Sequence, residues 1–452
     1  MSGEQPHNPR HIVHSLERVE RNVKVEFMET VIDVLEKRGF IDVISSDELL
    51  KRVEHPLSLY IGFDPTADSL HLGNLVGIVA LAWFQKYGHR PIALLGSGTG
   101  KIGDPSGKSV ERPLIHGKLL RKNAQKIREQ LEKFLDFAHP VAPCQMVDND
   151  DWLSSYSVID FLRDVGKHFR LGPMLGKDSV RSRLNSEEGI SFTEFSYQVL
   201  QSFDFYHLYR EKGVCLQIGG SDQWGNITAG IDLTRKLCGD AVFGMTYPLL
   251  TRSDGKKFGK SEGEAIWLDP QKTSPYQFYQ YLIRTSDDDV TKLMRVLTFM
   301  NMTEIMGYEN AIRSGRFPPF DAQKRLAREV TRFVHGEQGL ALALRITGGL
   351  MPGSKAPLDP DILKEIARDV PCARLSPEEV LYQKYTDVLL KAGFVSSKGE
   401  VHRLIKSGGA YLNNETVKSL ALTISSDHLI GGRYMLIGLG KKKKMLIETN
   451  RL

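Results

Sequence analysis

One stretch of the sequence, residues 58–104, limits the possible folds more than any other. It opens with the apolar run SLYIGF, passes through the turn residues DPTAD, and then places apolar side chains at helical spacing from Leu72 to Trp83. A second apolar run, PIALLG, leads into the glycine-rich segment GSGTGKIGDPSGK at residues 96–108. Strand, turn, helix, strand and polar glycine loop make up half of a doubly wound nucleotide-binding sheet. The stretch therefore predicts an α/β protein with a Rossmann-type parallel sheet.

The start of the predicted helix is a candidate anion site. Asp68 and Ser69 are suitable N-caps, which places His71, Gly73 and Asn74 in the first helical turn. The free backbone N–H groups there, together with the positive end of the helix dipole, favour an anion such as phosphate.

A second half-sheet is predicted from Phe192 onward. In its helix, Tyr197, Gln201 and Asp204 are spaced four and three residues apart, so they lie on one face. The apolar run VCLQI at 214–218 then leads into GGSDQWG, which again places polar and glycine residues after a strand.

Composition excludes several classes of protein. The 452 residues are enough for two or three domains, and 41% hydrophobic with 25% charged residues is ordinary for a soluble globular chain. The net charge of +5 is compatible with a polyanionic partner without demonstrating one. The 4 cysteines form no CxxC pair, so neither a zinc ribbon nor a disulfide framework is indicated. The longest apolar run, residues 75–84, is too short to span a bilayer, and no membrane partner is expected.

Five sequence blocks carry a family resemblance. HLGN at 71–74 resembles the HIGH signature of class I aminoacyl-tRNA synthetases, and the surrounding YIGFDPTADSLHLGN resembles the tyrosyl enzymes of bacterial and organellar type. The other blocks follow in the expected order: GDPSGK (103–108), FTEFSYQVLQSFDF (192–205), LQIGGSDQWGNITAG (216–230) and KFGKS (257–261). The resemblance is dense over residues 28–350 and looser beyond them.

This resemblance implies an activity. It is the ATP-dependent ligation of L-tyrosine to tRNA(Tyr) through an enzyme-bound tyrosyl-adenylate, with release of pyrophosphate and AMP. ATP is then a substrate, Mg²⁺ accompanies it on its phosphates and water, and no tightly bound cofactor or protein metal site is expected. Such chemistry depends on alignment and charge stabilisation, so the lack of a Ser/His/Asp set is consistent with it.

The resemblance also assigns residues to roles. The catalytic set that handles the phosphates is His71, Asn74, Thr66, Lys257, Lys260, Ser261, Lys108 and Arg112. The tyrosine-binding set is Tyr60, Asp104, Tyr197, Gln201, Asp204, Gln217 and Gln223. The ATP-binding set is Gly62, Asp64, Gly73, Gly220 and Asp222. Within the tyrosine set, Tyr60 and Asp204 face the phenol hydroxyl, so phenylalanine would leave both unpaired.

The chain departs from the family pattern at two positions. Asn74 stands where the family more often has a second histidine, and it can donate a neutral hydrogen bond but cannot become cationic. KFGKS lacks the methionine of the KMSKS loop but keeps both lysines and a hydroxyl.

The complete chain is expected to form several units. The predicted division is 1–24, a disordered extension or the stub of a trimmed targeting segment; 25–273, a Rossmann-type catalytic domain with an insertion at about 148–189; 274–350, a helical anticodon-side domain; 351–376, a proline-rich linker; and 377–452, a small α+β RNA-binding domain. The resemblance implies that the insertion helps to form a homodimer. It also implies a cytoplasmic location, or the matrix of a mitochondrion or plastid if a targeting segment has been removed.

The last unit is the predicted RNA-binding module. Its helix–Gly-Gly–strand pattern, with Lys398, Arg403 and Lys406, resembles a module shared with a ribosomal small-subunit protein. Contacts from such cations to phosphates give affinity with little sequence information.

Two nucleotide-binding alternatives rest on the glycine loop. GTGKIG at 98–103 matches the G-x-G-x-x-G of dinucleotide oxidoreductases, but Asp104-Pro105 follows at once and proline interrupts the helix that should receive the pyrophosphate. A P-loop would need one more residue between Gly103 and Gly107.

A third alternative is a synthetase-like protein that binds RNA and has lost catalysis. The retained Lys257, Lys260, Asp204 and Asp222 argue against that loss. A second RNA role in addition to catalysis stays open.

Overall fold

The computed structural model describes residues 29–107, 111, 113–255, 257–261, 264–315, 318, 320–351, 353–440 and 443–450, with residues 178, 179, 260 and 261 described by their backbone alone. The extension predicted for residues 1–24 lies outside this part of the chain. Among the described helices, none is both long and apolar enough to cross a bilayer.

A six-stranded sheet is the centre of the first part of the molecule. Its strands are β1 (Val43–Ile44), β2 (Ser58–Phe63), β3 (Arg90–Leu95), β4 (Gln145–Asp148), β5 (Val214–Gly220) and β6 (Phe243–Tyr247). Their order is β1-β6-β5-β2-β3-β4, and all neighbours are parallel except β1, which is antiparallel to β6. β2, β3 and β5 are buried almost throughout, as expected for parallel strands covered on both faces. The predicted Rossmann-type α/β fold is confirmed.

The strand order reverses at β2. β3 and β4 lie on one side of β2, whereas β5 and β6 lie on the other. Ligands of open α/β sheets bind outside the carboxyl ends of the strands at such a switch point. The ends of β2 and β5 therefore mark where a site is expected.

Ten helices of the described chain cover this sheet and connect its strands. They are α1 (Val31–Lys37), α2 (Glu48–Arg52), α3 (Leu75–Lys86), α4 (Gly117–Leu131), α5 (Asp150–Leu153), α6 (Val158–Asp164), α7 (Leu171–Leu175), α8 (Asp178–Leu184), α9 (Phe192–Lys212) and α10 (Trp224–Cys238). α5 to α8 occupy the predicted insertion. α9 begins where Ser191 accepts a hydrogen bond from the backbone N–H of Glu194, and it ends at Gly213, whose φ of 64° suits glycine.

The predicted start of α3 is wrong. α3 begins at Leu75, so His71 and Gly73 lie in the preceding turn and Asn74 takes the N-cap position. The physical reason is that the backbone of residues 70–72 pairs with residues 266–268, which keeps those residues extended. Asp68 is not a cap, because its carboxylate forms ion pairs with Lys126 and Lys272.

A helical region follows the sheet. Its helices are α11 (Pro275–Ile283), α12 (Asp287–Leu297), α13 (Met302–Arg313) and α14 (Asp321–Gly349). α11 starts with Pro275 after the N-cap Ser274, a position that does not need the missing N–H of proline. Phe278, Leu326 and Val330 are buried in the same hydrophobic core as the six-stranded sheet.

The C-terminal unit is built on a five-stranded sheet. Its strands are β9 (Cys372–Leu375), β10 (Ala410–Leu412), β11 (Glu415–Thr416), β12 (Tyr434–Leu439) and β13 (Lys443–Thr449), in the order β11-β10-β12-β13-β9. Its helices are α15 (Pro360–Ile366), α16 (Pro377–Val380), α17 (Tyr385–Lys391) and α18 (Lys398–Lys406). A separate short hairpin, β7 (Lys260–Ser261) and β8 (Glu264–Ala265), belongs to the KFGKS segment.

The proline-rich segment 351–376 is not a simple linker, so that prediction is wrong. It contains α15 and β9, and β9 pairs in parallel with β13 at the sheet edge. Pro360 is the first residue of α15, where proline favours helix initiation and does not interrupt it. Ile362 and Ile366 of α15 are buried together with Ile346 of α14 and Leu446 of β13. The C-terminal unit is thereby packed against the helical region.

Candidate active site

A cavity of about 360 Å³ opens at the carboxyl ends of β2 and β5. Most of the residues that the family resemblance assigned to the site line it. They are Tyr60, Gly62, Asp64, His71, Gly73, Asn74, Asp104, Tyr197, Gln201, Asp204, Gln217, Gly220, Asp222, Gln223 and Lys257. The switch point of the sheet and the predicted site therefore coincide.

The floor of the cavity combines a carboxyl group and a phenol. Asp204 on α9 and Tyr60 on β2 are each 1% exposed. Asp204 accepts hydrogen bonds from Asn149 Nδ2 at 2.9 Å and from Trp152 Nε1 at 2.8 Å. Among the residues that the structure describes, none forms a hydrogen bond with the Tyr60 hydroxyl. A ligand hydroxyl at this depth could bond to both groups.

Burial controls the protonation of both groups. Burial raises the pKa of Asp204 to about 8, while the hydrogen bonds from Asn149 and Trp152 act to lower it. Burial, followed by the nearby Asp204 carboxylate, raises the pKa of Tyr60 well above its ordinary value. Tyr60 therefore keeps its proton at neutral pH, and a donor from a ligand would favour the ionised form of Asp204.

A second group of polar side chains forms the middle of the cavity. The Tyr197 hydroxyl donates to Asp64 Oδ2 at 2.7 Å, and Gln223 Nε2 donates to Asp104 Oδ2 at 2.7 Å. Gln201 Nε2 donates to Gln223 Oε1 at 3.3 Å, so Gln201, Gln223 and Asp104 are connected, and together with the Tyr197–Asp64 pair they form a polar wall of the cavity. Two carboxylates close to this wall suit an ammonium group.

The HLGN turn holds its histidine by local hydrogen bonds. The backbone N–H of Gly73 donates to His71 Nδ1 at 3.1 Å, and the N–H of His71 donates to Asn74 Oδ1 at 3.0 Å. An acceptor role at Nδ1 assigns the proton of the neutral ring to Nε2, which is then a donor. A Cβ at residue 73 would lie 3.0 Å from His71 Cε1, so glycine gives the ring its space.

The KFGKS segment lies against this turn. Lys257 lines the cavity. Gly259 has a φ of 88°, and a Cβ there would lie 3.4 Å from the backbone nitrogen of Gly73. Its own N–H donates to the Tyr281 hydroxyl of α11 at 2.8 Å. The two signature segments are therefore in contact.

Glycines lie close to Asp222 in the cavity lining. A Cβ at Gly220 would lie 2.7 Å from Asp222 Oδ1, and one at Gly107 would lie 3.1 Å from Asp222 Oδ2. Gly62, on β2, lies on the same lining. Backbone without side chains at these positions leaves room for a flat ligand to approach closely.

The remaining predicted residues are not placed in the cavity. Thr66 is exposed and is not part of the lining. Lys108 and Arg112 lie outside the described residues, and for Lys260 and Ser261 only the backbone, in β7, is described.

Sequence reasoning missed several residues of the lining. Asn149 and Thr99 are among them, and Asn149 Nδ2 also donates to Thr99 Oγ1 at 2.9 Å. Tyr247, the last residue of β6, lines the cavity as well. All three follow or end parallel strands, and the carboxyl ends of such strands meet at one edge of a sheet. That rule could have found them.

Two family models match the chain. The model described as tRNA synthetases class I (W and Y) matches residues 51–347, and the model of the tyrosine–tRNA ligase SYY-like C-terminal domain matches residues 362–447. Fold, site and match together place the chain among the class I tRNA synthetases of the tryptophan and tyrosine type.

Individual relatives narrow this assignment. A tyrosine–tRNA ligase of Protochlamydia amoebophila is 53% identical over 421 residues, 93% of this chain and 99% of the relative. A chloroplastic/mitochondrial tyrosine–tRNA ligase of Arabidopsis thaliana is 43% identical over 445 residues, 97% of this chain and 87% of the relative. A crystal structure of a C-terminally truncated mitochondrial tyrosyl-tRNA synthetase from Aspergillus nidulans has a TM-score of 0.62 at 32% identity, with 70% of this chain and 92% of that chain covered. The chain belongs to the tyrosine–tRNA ligase family.

Proposed function

We propose that this chain ligates L-tyrosine to tRNA(Tyr) in two steps, through an enzyme-bound tyrosyl-adenylate. The observation that carries the proposal is the cavity floor, where the buried Asp204 carboxyl group lies near the Tyr60 hydroxyl. These groups suit the hydroxyl of a phenolic side chain. With phenylalanine or an aliphatic amino acid, the Tyr60 hydroxyl would stay unpaired and Asp204 would gain no donor beyond Asn149 and Trp152.

The amino acid is held along the cavity from its phenol to its carboxylate. The phenol hydroxyl donates to Asp204 and accepts from Tyr60. The ammonium group is bound by Asp104, Tyr197 and Gln201, which the proximity of the Asp64 and Asp104 carboxylates supports. Gln217 orients the pocket, and Gln223 approaches the carbonyl group.

In the first step, a carboxylate oxygen of tyrosine forms a bond to the α-phosphorus of ATP and the bond to the pyrophosphate oxygen breaks. The adenosine is bound at Gly62, Asp64, Gly73 and Gly220, with Asp222 on the ribose hydroxyls. Alignment of the two reactants supplies much of the rate, because the reaction becomes effectively unimolecular.

Cationic and neutral donors stabilise the charge on the departing pyrophosphate. His71, with its Nε2–H, and Lys257 both line the cavity. Asn74, Lys108, Arg112, Lys260 and Ser261 complete the proposed set, from which we leave out Thr66 because it does not line the cavity. Mg²⁺ accompanies ATP on its phosphates and water; within the described residues, no cluster of three His, Cys, Asp or Glu side chains could hold a metal.

In the second step, a ribose hydroxyl of tRNA(Tyr) attacks the carbonyl carbon and AMP leaves. The C-terminal unit supplies RNA contacts through α18, where Lys398, Arg403 and Lys406 are exposed. Lys398 forms an ion pair with Asp387 at 2.5 Å, which a phosphate would have to displace.

The enzyme is proposed to act as a homodimer. Three large apolar side chains in and beside the insertion are strongly exposed: Val158 (74%), Ile159 (72%) and Phe192 (77%). Exposed apolar side chains on neighbouring residues, such as Val158 and Ile159 of α6, favour an interaction site. We place the enzyme in the cytoplasm, or in the matrix of a mitochondrion or plastid.

Charging of tRNA tests the function directly. The experiment incubates the full chain with ATP, Mg²⁺ and labelled tyrosine, and offers transcripts of bacterial-type and eukaryotic cytosolic-type tRNA(Tyr) in parallel. We expect charging of the bacterial type, with labelled tryptophan as the negative control. Failure to charge either transcript with tyrosine would overturn the proposal.

A further inference from the structure

A short extended segment after the KFGKS hairpin, residues 266–269, is paired with the HLGN turn. The Leu72 N–H donates to the Ile266 carbonyl at 2.8 Å, and the Leu268 N–H donates to the Leu70 carbonyl at 2.9 Å. These bonds flank an antiparallel bridge between His71 and Trp267. We call residues 266–269 the strap. The strap follows β8 of the KFGKS hairpin directly and is paired with the HLGN turn. It therefore links the position of the hairpin to that of the turn.

Trp267 lies beside the histidine on this strap. The ring centroids of Trp267 and His71 are 6.2 Å apart, with an angle of 56° between the ring planes. The backbone N–H of Trp267 donates to Thr273 Oγ1 at 3.0 Å, which ties the strap to the chain that follows it. The backbone that carries the indole is therefore fixed independently of the contact between the two rings.

A cation and an acid fix the indole further. The Lys272 ammonium lies 4.8 Å from the centroid of the Trp267 ring, within the range of a cation–π contact. Lys272 also pairs with Asp68, which Lys126 of α4 contacts at 2.9 Å. The two ammonium groups lower the pKa of Asp68 to about 2, so the acid stays ionised throughout the physiological range. The indole is thus held between this ion network and His71.

Because His71 precedes α3, contacts from outside that helix can hold its ring in addition to those of the HLGN turn. A residue in a helix is surrounded by neighbours three and four positions away, but His71 lies in the turn before the first helical residue. Gly73, beneath its ring, offers a backbone N–H and no side chain.

We propose that Trp267 is a positioning residue that fixes the His71 ring for its work on the phosphates of ATP. The strap then sets the spacing between the HLGN turn and the KFGKS hairpin, so that both reach the departing pyrophosphate together. This role rests on the proposed function, because it concerns the rate of adenylate formation.

The test is a double-mutant cycle in tyrosine-dependent ATP–pyrophosphate exchange, with the variants Trp267→Ala, His71→Ala and both together. Trp267→Ala should lower kcat about tenfold and leave the KM for tyrosine within about twofold, since the tyrosine pocket is untouched. In the His71→Ala background, the added Trp267→Ala change should lower kcat by less than about twofold. Trp267→Phe, which keeps an aromatic ring, should restore most of the rate.

The matched control is Phe333→Ala, which removes a half-buried aromatic ring of α14 outside the cavity lining. Its effect should be the same with and without His71. Additive effects of Trp267→Ala and His71→Ala on kcat would overturn the positioning role, and so would a Trp267→Phe enzyme as slow as Trp267→Ala. In either case, a wild-type chain that catalyses tyrosine-dependent exchange would still support the proposed function. A wild-type chain without tyrosine-dependent exchange would overturn both.

Discussion

Trp152 Nε1 donates a hydrogen bond to Asp204 Oδ1 over 2.8 Å, and this contact connects the insertion to the floor of the cavity. Asn149 donates to the other carboxylate oxygen, so each oxygen has one fixed donor. The two bonds set the plane of the carboxylate and oppose the rise in its pKa that burial causes. Neither residue belongs to a signature block, yet both hold the carboxyl group of Asp204 in place.

Trp152→Phe should therefore weaken tyrosine binding without removing the carboxylate. Loss of the indole N–H leaves Asp204 Oδ1 short of a donor and raises the pKa of the acid further, since burial is then less opposed. We expect the KM for tyrosine in pyrophosphate exchange to rise about tenfold, which corresponds to a hydrogen bond to a charged group of about 1.5 kcal/mol. The KM for ATP should not change. An unaltered KM for tyrosine would show that Trp152 only fills space.

The stability of the ligand-free protein should depend on pH through Asp204. The pKa of this acid is raised from 3.8 to about 8 in the folded state, so the folded protein retains a proton that the unfolded chain releases. Its contribution to the free energy of unfolding is complete below about pH 4 and is lost as pH rises toward 8.

The Asp204→Asn variant has no titrating group at this position, so its stability relative to wild type should increase with pH. Melting temperatures of both proteins at pH 5, 6, 7 and 8 check this, and a relative gain of a few °C between pH 5 and pH 8 is expected, corresponding to about 1 kcal/mol or more. A difference in Tm that is constant over this range would contradict the assigned environment of Asp204.

Lys257→Ala should slow adenylate formation without affecting tyrosine binding. Lys257 is an exposed residue of the cavity lining, whereas Tyr60 and Asp204 are buried, and its charge is proposed to stabilise the pyrophosphate as it leaves. We expect kcat for exchange to fall about 10²-fold, as for loss of one preorganised donor to a developing charge. Lys118→Ala, an exposed lysine of α4, is the control and should behave as wild type. A rise in the KM for tyrosine at normal kcat would reject the assignment.

Ile159→Asp should separate the proposed dimer. Ile159 is among the most exposed apolar side chains of the insertion, and a charge there would lie desolvated in any interface that covers it. Sedimentation should report a dimer for wild type and mostly monomer for the variant at micromolar concentration, with an unchanged far-UV spectrum. Met306→Asp, in an exposed position of α13, should leave the dimer intact. A monomeric wild type would contradict the homodimer.

The parallel sheet could be predicted because its signals are local. Apolar runs such as Ser58–Phe63 are long enough to define strands, and the polar glycine segments after them define the edge where ligands bind. The family blocks then selected residues for the cavity, and Tyr60, Asp204 and His71 line it.

Features that depend on distant segments were not predictable. Helix α3 begins at Leu75, later than predicted, because residues 70–72 pair with the strap and this pairing competes with helix formation. The strap lies almost two hundred positions further along the chain. Prolines suggested a linker at 351–376, whereas Pro360 begins a helix whose apolar face is covered by α14 and β13. The donors of Asp204 were missed since Asn149 and Trp152 reach it only through the tertiary arrangement.

The central claim is that Tyr60 and Asp204 at the cavity floor select an amino acid by binding its phenol hydroxyl. Amino-acid selectivity in ATP–pyrophosphate exchange tests this claim most directly. The measurement compares kcat/KM for tyrosine and phenylalanine in wild type and in Asp204→Ala. Wild type should use tyrosine and reject phenylalanine. Asp204→Ala should lower the ratio of kcat/KM for tyrosine to that for phenylalanine about 10- to 100-fold, mainly through a lower kcat/KM for tyrosine. The reason is that about 1.5–3 kcal/mol of hydrogen bonding to a charged group is removed. A selectivity ratio that is unchanged in Asp204→Ala would contradict the account.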